Sequence, residues 1–74
     1  MNIQKLKTNY KKLDKLDIKT LNIVKQSINY EIENYLLATK NYTEDKIERF
    51  SKPYIQSWEN LLKEVQLRLD LNLS

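Results

Sequence analysis

The residues of this sequence that could carry out acid–base chemistry are its carboxylates. Two carboxylates can act as general acid and general base when their side chains converge on a substrate. Their spacings here are typical of solvent-exposed helix faces, where charged side chains are solvated. None of them has the loop spacing that binds a hard cation, so we predict no metal site. The pairs in question are Glu31 with Glu33, Glu44 with Asp45 or Glu48, and Glu59 with Glu64.

Other catalytic chemistry is excluded by residue types that the sequence lacks. Its 74 residues include no histidine, no cysteine and no glycine. Without histidine and cysteine it cannot build a Ser–His or Cys–His nucleophile or the usual zinc sites. Without glycine it lacks the loops whose backbone closely approaches a phosphate group. We therefore predict a non-enzymatic binding protein and expect no cofactor and no small-molecule substrate.

The lysines are concentrated near the N-terminus. Residues 1–25 carry seven lysines and two aspartates, whereas residues 26–74 carry six basic and eight acidic side chains. Lysines can neutralise nucleic-acid phosphates, and such binding weakens steeply as salt rises. Nucleic-acid binding is therefore the alternative function, and solvated lysines on a helix face are the simpler interpretation. The residues that would carry this alternative are Lys5, Lys7, Lys11, Lys12 and Lys15.

The aromatic residues suggest a second kind of binding. The chain has five tyrosines, one phenylalanine and one tryptophan. Tyr and Trp are enriched at protein–protein hot spots because they bury a large area at a small cost in entropy. The competing interpretation is that most of them fill the core. The residues that we assign to a protein-binding surface are Tyr42, Tyr54, Trp58, Leu62, Leu67 and Leu71.

Apolar spacing predicts the helices that position these residues. Steps of three and four residues run through Ile3, Leu6, Tyr10 and Leu13, and then from Leu21 to Tyr35. This spacing is that of one helical face. It predicts an N-terminal helix over about residues 3–14 and a second helix over about residues 18–40. Asp14 or Asp17 can cap the second helix, which places a turn between the two.

The C-terminal half predicts a third helix over about residues 44–70, with Thr43 as its N-cap. Pro53 lies within it and is expected to kink it near residue 53. Alternatively, the helix restarts there with Ser51 as its cap and Pro53 in the first turn. Residues 65–73 alternate apolar and polar side chains, which is also the period of a strand. We prefer a helix, because a lone strand would need the edge of another chain.

The expected fold is therefore all-α: a helical hairpin plus an N-terminal helix, three antiparallel helices in a single domain over residues 1–74. A chain this short builds only a thin core, and disulfides are impossible without cysteine. We therefore expect it to associate with itself as a homodimer. No apolar stretch approaches the roughly 20 residues that span a bilayer. The N-terminus also lacks the apolar region of a secretory signal. We expect a cytoplasmic protein that does not bind a membrane.

Three short matches link the sequence to a known family. They are Ile32–Glu33–Asn34, then Asn41–Tyr–Thr–Glu–Asp–Lys–Ile47, then Tyr54 with Leu61. With these residues, and with one gap, the segment from Ile32 to Val65 resembles the small YvfG-like proteins of Bacillus. The resemblance implies a helical hairpin that forms a homodimer, and it implies no activity.

These observations favour a small protein–protein interaction module. We predict a regulator or an inhibitor that docks a helix face onto a target protein, because inhibitors, antitoxins and immunity proteins often have this size and character.

Overall fold

Two long helices form an antiparallel hairpin, and the fold is all-α, as the sequence predicts. The computed structural model describes residues 3–73, with the side chains of residues 3–72. It contains no strand within that range. The hairpin consists of helix α1 (Ile18–Ala38), a connection over residues 39–43, helix α2 (Glu44–Lys46), a π-helical turn (Ile47–Ser51) and helix α3 (Lys52–Leu73).

Side chains cap the helices where the sequence predicts a boundary. Asp17 is the N-cap of α1, and its carboxylate accepts a hydrogen bond from the N–H of Thr20 at 2.8 Å. The hydroxyl of Thr43 caps α2 by accepting a hydrogen bond from the N–H of Lys46 at 3.3 Å. Each cap satisfies a backbone donor that the first helical turn leaves unpaired.

The N-terminal segment forms the third helical part of the fold, but it is not the single α-helix that we predicted over residues 3–14. Two short 3₁₀ helices, Ile3–Lys7 and Tyr10–Lys15, take its place. The buried residues of this segment, Leu6 and Leu13, are those that the apolar spacing predicts.

Polar side chains interrupt the N-terminal segment between its two 3₁₀ helices. The side-chain oxygen of Asn9 accepts a hydrogen bond from the N–H of Lys11 at 3.2 Å. The hydroxyl of Thr8 donates to the carbonyl of Lys5 at 3.0 Å. Such local bonds compete with the hydrogen bonds of a continuous α-helix, which explains the break.

A π-helical turn precedes Pro53 where we predicted a kink. The N–H of Lys52 donates to the carbonyl of Ile47, five residues earlier. Pro53 has no N–H, and its ring clashes with the carbonyl four residues before it in a regular α-helix. A wider turn moves that carbonyl away, so the helical backbone passes through the proline. Ser51 does not act as the cap that the alternative required, because its hydroxyl lies 3.4 Å from the hydroxyl of Tyr35.

Helix α3 continues to Leu73, so the alternative of a strand over residues 65–73 is wrong. Within α3, every third or fourth side chain is buried against the rest of the fold, beginning with Trp58. The core joins these residues to buried side chains of α1 and the N-terminal segment. It consists of Leu6, Leu13, Leu21, Val24, Ile28, Trp58, Leu61, Val65 and Leu69.

The first prediction concerns Trp58, whose side chain is fully buried. We expect Trp58→Ala to destabilise the protein by about 3–5 kcal/mol, which is most of the stability of a small domain. The variant should lose the cooperative thermal transition that circular dichroism detects in the wild type. Phe50→Ala, at an exposed position, should change the free energy of unfolding by less than about 0.5 kcal/mol. A folded Trp58→Ala variant with an unchanged melting temperature would contradict this structure.

The second prediction concerns the cap of α1. Hydrogen bonds from Thr20, its side chain first and its backbone N–H second, hold the pKa of Asp17 below its usual value. A carboxyl whose pKa is lower in the folded state stabilises the protein above its unfolded pKa. It loses that contribution as pH falls through the folded pKa.

Asp17→Asn keeps a capping oxygen but cannot titrate. We therefore expect the wild type to lose more stability than this variant between about pH 5 and pH 2. Urea unfolding at several pH values measures the difference. Glu59→Gln, at an exposed position on α3, serves as the control and should leave the acid dependence close to that of the wild type. An unchanged acid dependence in Asp17→Asn would contradict the prediction.

Candidate functional site

The structure divides the predicted protein-binding residues between the core and the surface. Trp58 is wholly buried inside the chain, so its assignment to a docking surface is corrected. Tyr54 and Leu62 are half-buried and pack against the core. Tyr42, Leu67 and Leu71 remain exposed, but they lie on different parts of the hairpin. The six residues therefore do not form one surface.

Trp58 is buried because three parts of the chain meet around it. Tyr35 of α1 stacks on Tyr54 of α3 with 4.1 Å between the ring centroids and 24° between the planes. Tyr54 meets Trp58 edge to face at 6.3 Å. The ammonium group of Lys7 in the N-terminal segment lies 4.0 Å from the centroid of the Trp58 ring. Aromatic pairs and a cation over a ring face are both favourable contacts.

Lys7 is therefore a structural residue rather than a free basic one. Its ammonium nitrogen also lies 3.4 Å from the hydroxyl of Ser57. Burial lowers the pKa of Lys7, and the negative charge of Glu31 acts in the opposite direction. A lysine held against the core in this way is not available to a phosphate group. The nucleic-acid alternative thus loses one of its five residues, while Lys5, Lys11, Lys12 and Lys15 are exposed.

An ion-pair cluster ties the N-terminal segment to the far end of α3. The guanidinium of Arg68 contacts the carboxylate of Asp14 at 2.8 Å and that of Glu64 at 2.7 Å. The hydrogen bond to Glu64 is the main reason that the pKa of Arg68 is raised, and Asp14 adds to it. The Arg68 side chain is only 17% exposed, so both pairs are partly desolvated. This cluster closes the end of the hairpin that carries Leu67 and Leu71.

The opposite end of the hairpin carries exposed apolar side chains. Every residue from Lys40 to Phe50 is exposed. Phe50 is 60% exposed, although a phenylalanine is among the residues most often found inside a protein. We call this region the hairpin-end surface, and its members are Leu36, Tyr42, Ile47 and Phe50.

Two ion pairs lie beside the hairpin-end surface. Arg49 contacts Asp45 at 3.2 Å, and Lys52 contacts Glu48. Both pairs are one helical turn apart and exposed, which is the ordinary arrangement on a solvated helix. Asp45 and Glu48 are thus each engaged by a basic side chain of the same helical segment. The apolar side chains, rather than a net charge, distinguish this end of the molecule.

The sequence predicts that Tyr42 lies at a binding surface, but the exposure of Ile47 and Phe50 was not predicted. Both lie in the π-helical turn, and their spacing to Tyr54 is that of a helical stripe. That stripe predicts that Phe50 lies in the core or in a dimer interface. The inserted residue of a π turn rotates the preceding side chains by roughly 100° relative to α3. Pro53 was the one signal in the sequence that this rotation could occur.

A second exposed apolar feature runs along α1 on the side away from the core. It consists of Ile23, Tyr30 and Leu37, which are spaced by seven residues, and we call it the outer stripe. Ile23 and Tyr30 also line a shallow groove of about 500 Å³, together with Ile3 of the N-terminal segment. The outer stripe was not predicted from the sequence, because the buried stripe from Leu21 to Tyr35 dominates the apolar pattern of this helix.

Comparison with known protein families, curated proteins and solved structures finds no match to this chain. The resemblance to the YvfG-like proteins therefore stays a prediction.

Among residues 3–73, no three acidic side chains come together as a group that could hold a metal ion. None of the helices in that range has the length and apolar character needed to cross a bilayer.

The third prediction separates the role of Lys7 from that of the other lysines. We expect Lys7→Ala to lower the free energy of unfolding by about 1 kcal/mol, because it removes a desolvated cation from the face of Trp58. It should also shift the fluorescence emission to longer wavelength, since Trp58 is the only tryptophan. Lys5→Ala, at an exposed position nearby, should change stability by less than about 0.5 kcal/mol. Equal effects of the two substitutions would contradict a structural role for Lys7.

Proposed function

We propose that this chain is a non-enzymatic protein–protein interaction module that regulates or inhibits a target protein. The observation that carries the proposal is the exposure of apolar residues at the hairpin end, above all Phe50. Exposed apolar surface rimmed by polar groups is a feature of interaction sites. The hairpin-end surface replaces the surface centred on Trp58, and it retains Tyr42 from the predicted set.

The chemistry of this end suggests the kind of site that it occupies. A phenyl ring and an isoleucine on a protruding helical end suit an apolar pocket or groove in the target, where they would act as anchors. The paired charges of Asp45 with Arg49 and of Glu48 with Lys52 would form the polar rim. A rim of mutually neutralised charges leaves the apolar contacts to determine affinity.

We also propose that the chain forms a homodimer and acts in the cytoplasm. Neither a disulfide nor a zinc site can be built without cysteine and histidine. Association is the remaining way in which such a short chain can gain buried area. A chain without cysteine is compatible with a reducing compartment.

The fourth prediction tests the hairpin-end surface with a photo-cross-linking residue. We expect benzoylphenylalanine in place of Phe50 to attach covalently to one target protein in host cells. The same residue in place of Leu67 serves as the matched control, since Leu67 is similarly exposed at 54% but lies near the other end of α3. It should yield no adduct with that target.

Once the target is identified, its affinity for this chain and for its variants provides the quantitative test. Phe50→Ser should weaken binding by at least about tenfold, since truncating an interface anchor costs about 2 kcal/mol. Leu67→Ser should leave the affinity unchanged. Adducts that form equally from both positions, or binding that survives Phe50→Ser, would contradict the proposal. If capture is lost after nuclease treatment or falls steeply with salt, the exposed N-terminal lysines and nucleic acid become the better explanation.

A further inference from the structure

The outer stripe of α1 is the face of this fold with the clearest repeat. Ile23, Tyr30 and Leu37 are 50%, 64% and 68% exposed. A repeat of seven residues keeps side chains on one side of a helix and is the signature of a seam between two helices. The core of the chain already uses another face of α1, which carries Val24 and Ile28. The outer stripe is therefore available to a partner.

Polar residues interleave with the outer stripe in the same seven-residue repeat. Lys19, Gln26 and Glu33 alternate with the three apolar residues, so that the whole series steps by four and three along α1. All three are exposed. The series begins with a positive charge, has a neutral amide at its centre and ends with a negative charge. If the helix is turned end over end about Gln26, Glu33 takes the place of Lys19 and Lys19 takes the place of Glu33.

We infer that the outer stripe binds a second copy of the same chain, with the two α1 helices antiparallel and related by a two-fold axis at Gln26. In this arrangement Lys19 lies opposite the partner's Glu33, and Glu33 lies opposite the partner's Lys19. Gln26 meets its own counterpart, and Ile23 comes next to the partner's Tyr30. A parallel arrangement would instead place like charges opposite each other, which is unfavourable.

The groove beside the outer stripe also supports a two-fold axis at Gln26. The shallow groove beside the outer stripe is lined by Gln26 and Ser27, with Ile3 along its edge. It therefore lies at the level of the proposed two-fold axis, where side chains of the partner would enter it. The groove shares Ile23, Gln26 and Tyr30 with the series, and both are centred on the middle of α1.

The proposed dimer buries a small area. With the axis at Gln26, residues 18–34 of the two α1 helices overlap, a length of about 25 Å at 1.5 Å per residue, and Leu37 lies beyond the overlap. A face of that length and about 10 Å width is smaller than the roughly 800 Å² that each partner buries in a standard interface. The dimer should therefore be reversible and depend on concentration. The inference rests on the homodimer proposed above and specifies its face and direction.

The fifth prediction uses sedimentation equilibrium over a range of concentrations. We expect the wild type to dimerise and Tyr30→Lys to weaken dimerisation by at least about tenfold, because it places a charge in the centre of the seam. Tyr42→Lys is the matched control, since it makes the same change at an exposed tyrosine of the hairpin end. It should dimerise like the wild type. Circular dichroism confirms that both variants fold.

Cysteine cross-linking tests the direction of the helices, because the chain has no cysteine of its own. In an antiparallel dimer centred on Gln26, Gln26→Cys should form a disulfide with its counterpart, whereas Lys19→Cys should not. In a parallel dimer both would cross-link. Reversing one charge in Lys19→Glu should weaken the antiparallel dimer, and the double variant Lys19→Glu/Glu33→Lys should restore it.

The outcomes separate this inference from the proposals before it. A wild type that stays monomeric up to about 1 mM overturns both the homodimer and its interface, but leaves target binding through Phe50 intact. A dimer that Tyr30→Lys does not weaken overturns the outer stripe alone. A dimer that cross-links equally from Gln26→Cys and Lys19→Cys overturns the antiparallel arrangement.

Discussion

The burial of Trp58 is the constraint on which the rest of this structure depends. Its ring meets Tyr54 of the same helix edge to face, and Tyr35 of α1 stacks on Tyr54. Lys7 of the N-terminal segment lies over the face of the Trp58 ring. A two-helix hairpin alone would leave one face of this ring in water. The N-terminal segment supplies the missing cover, and this explains why so short a chain includes a third layer.

The way in which the N-terminal segment is attached differs from the way in which the hairpin is held. Leu6 and Leu13 bury their side chains in the common core. Further contacts between this segment and the hairpin involve charged side chains. Lys7 rests on Trp58, and Asp14 pairs with Arg68. The two short 3₁₀ helices have few internal hydrogen bonds compared with α1. Such a segment is expected to open before the hairpin does.

Helical spacing predicted the hairpin well because α1 and α3 bury regular stripes. The residues from Leu21 to Ile28 and from Trp58 to Leu69 are buried where the steps of three and four place them. The N-terminal segment was harder to predict. Two 3₁₀ helices with a break at Asn9 bring Leu6 and Leu13 to the same side, as an α-helix would. The apolar spacing therefore does not distinguish the two backbones.

The candidate site was less predictable than the fold, since an aromatic residue in a stripe has the same spacing whether it is covered or not. Trp58 was assigned to a surface and proved to be core, whereas Phe50 followed the same stripe and proved to be exposed. The π-helical turn decides between them, because it rotates Phe50 away from the face of α3 that carries Trp58.

The π-helical turn has a further consequence for how this molecule could change over generations. Such a turn is equivalent to the insertion of a single residue into an α-helix. Losing one residue between Ile47 and Ser51, together with replacement of Pro53, would restore a regular helix and rotate the hairpin end by roughly 100°, with the core from Trp58 onward untouched. The exposed apolar end therefore depends on one inserted residue and on the proline that favours the wide turn. The hairpin-end surface can thus change its direction through two nearby positions, while the scaffold that carries it keeps its core.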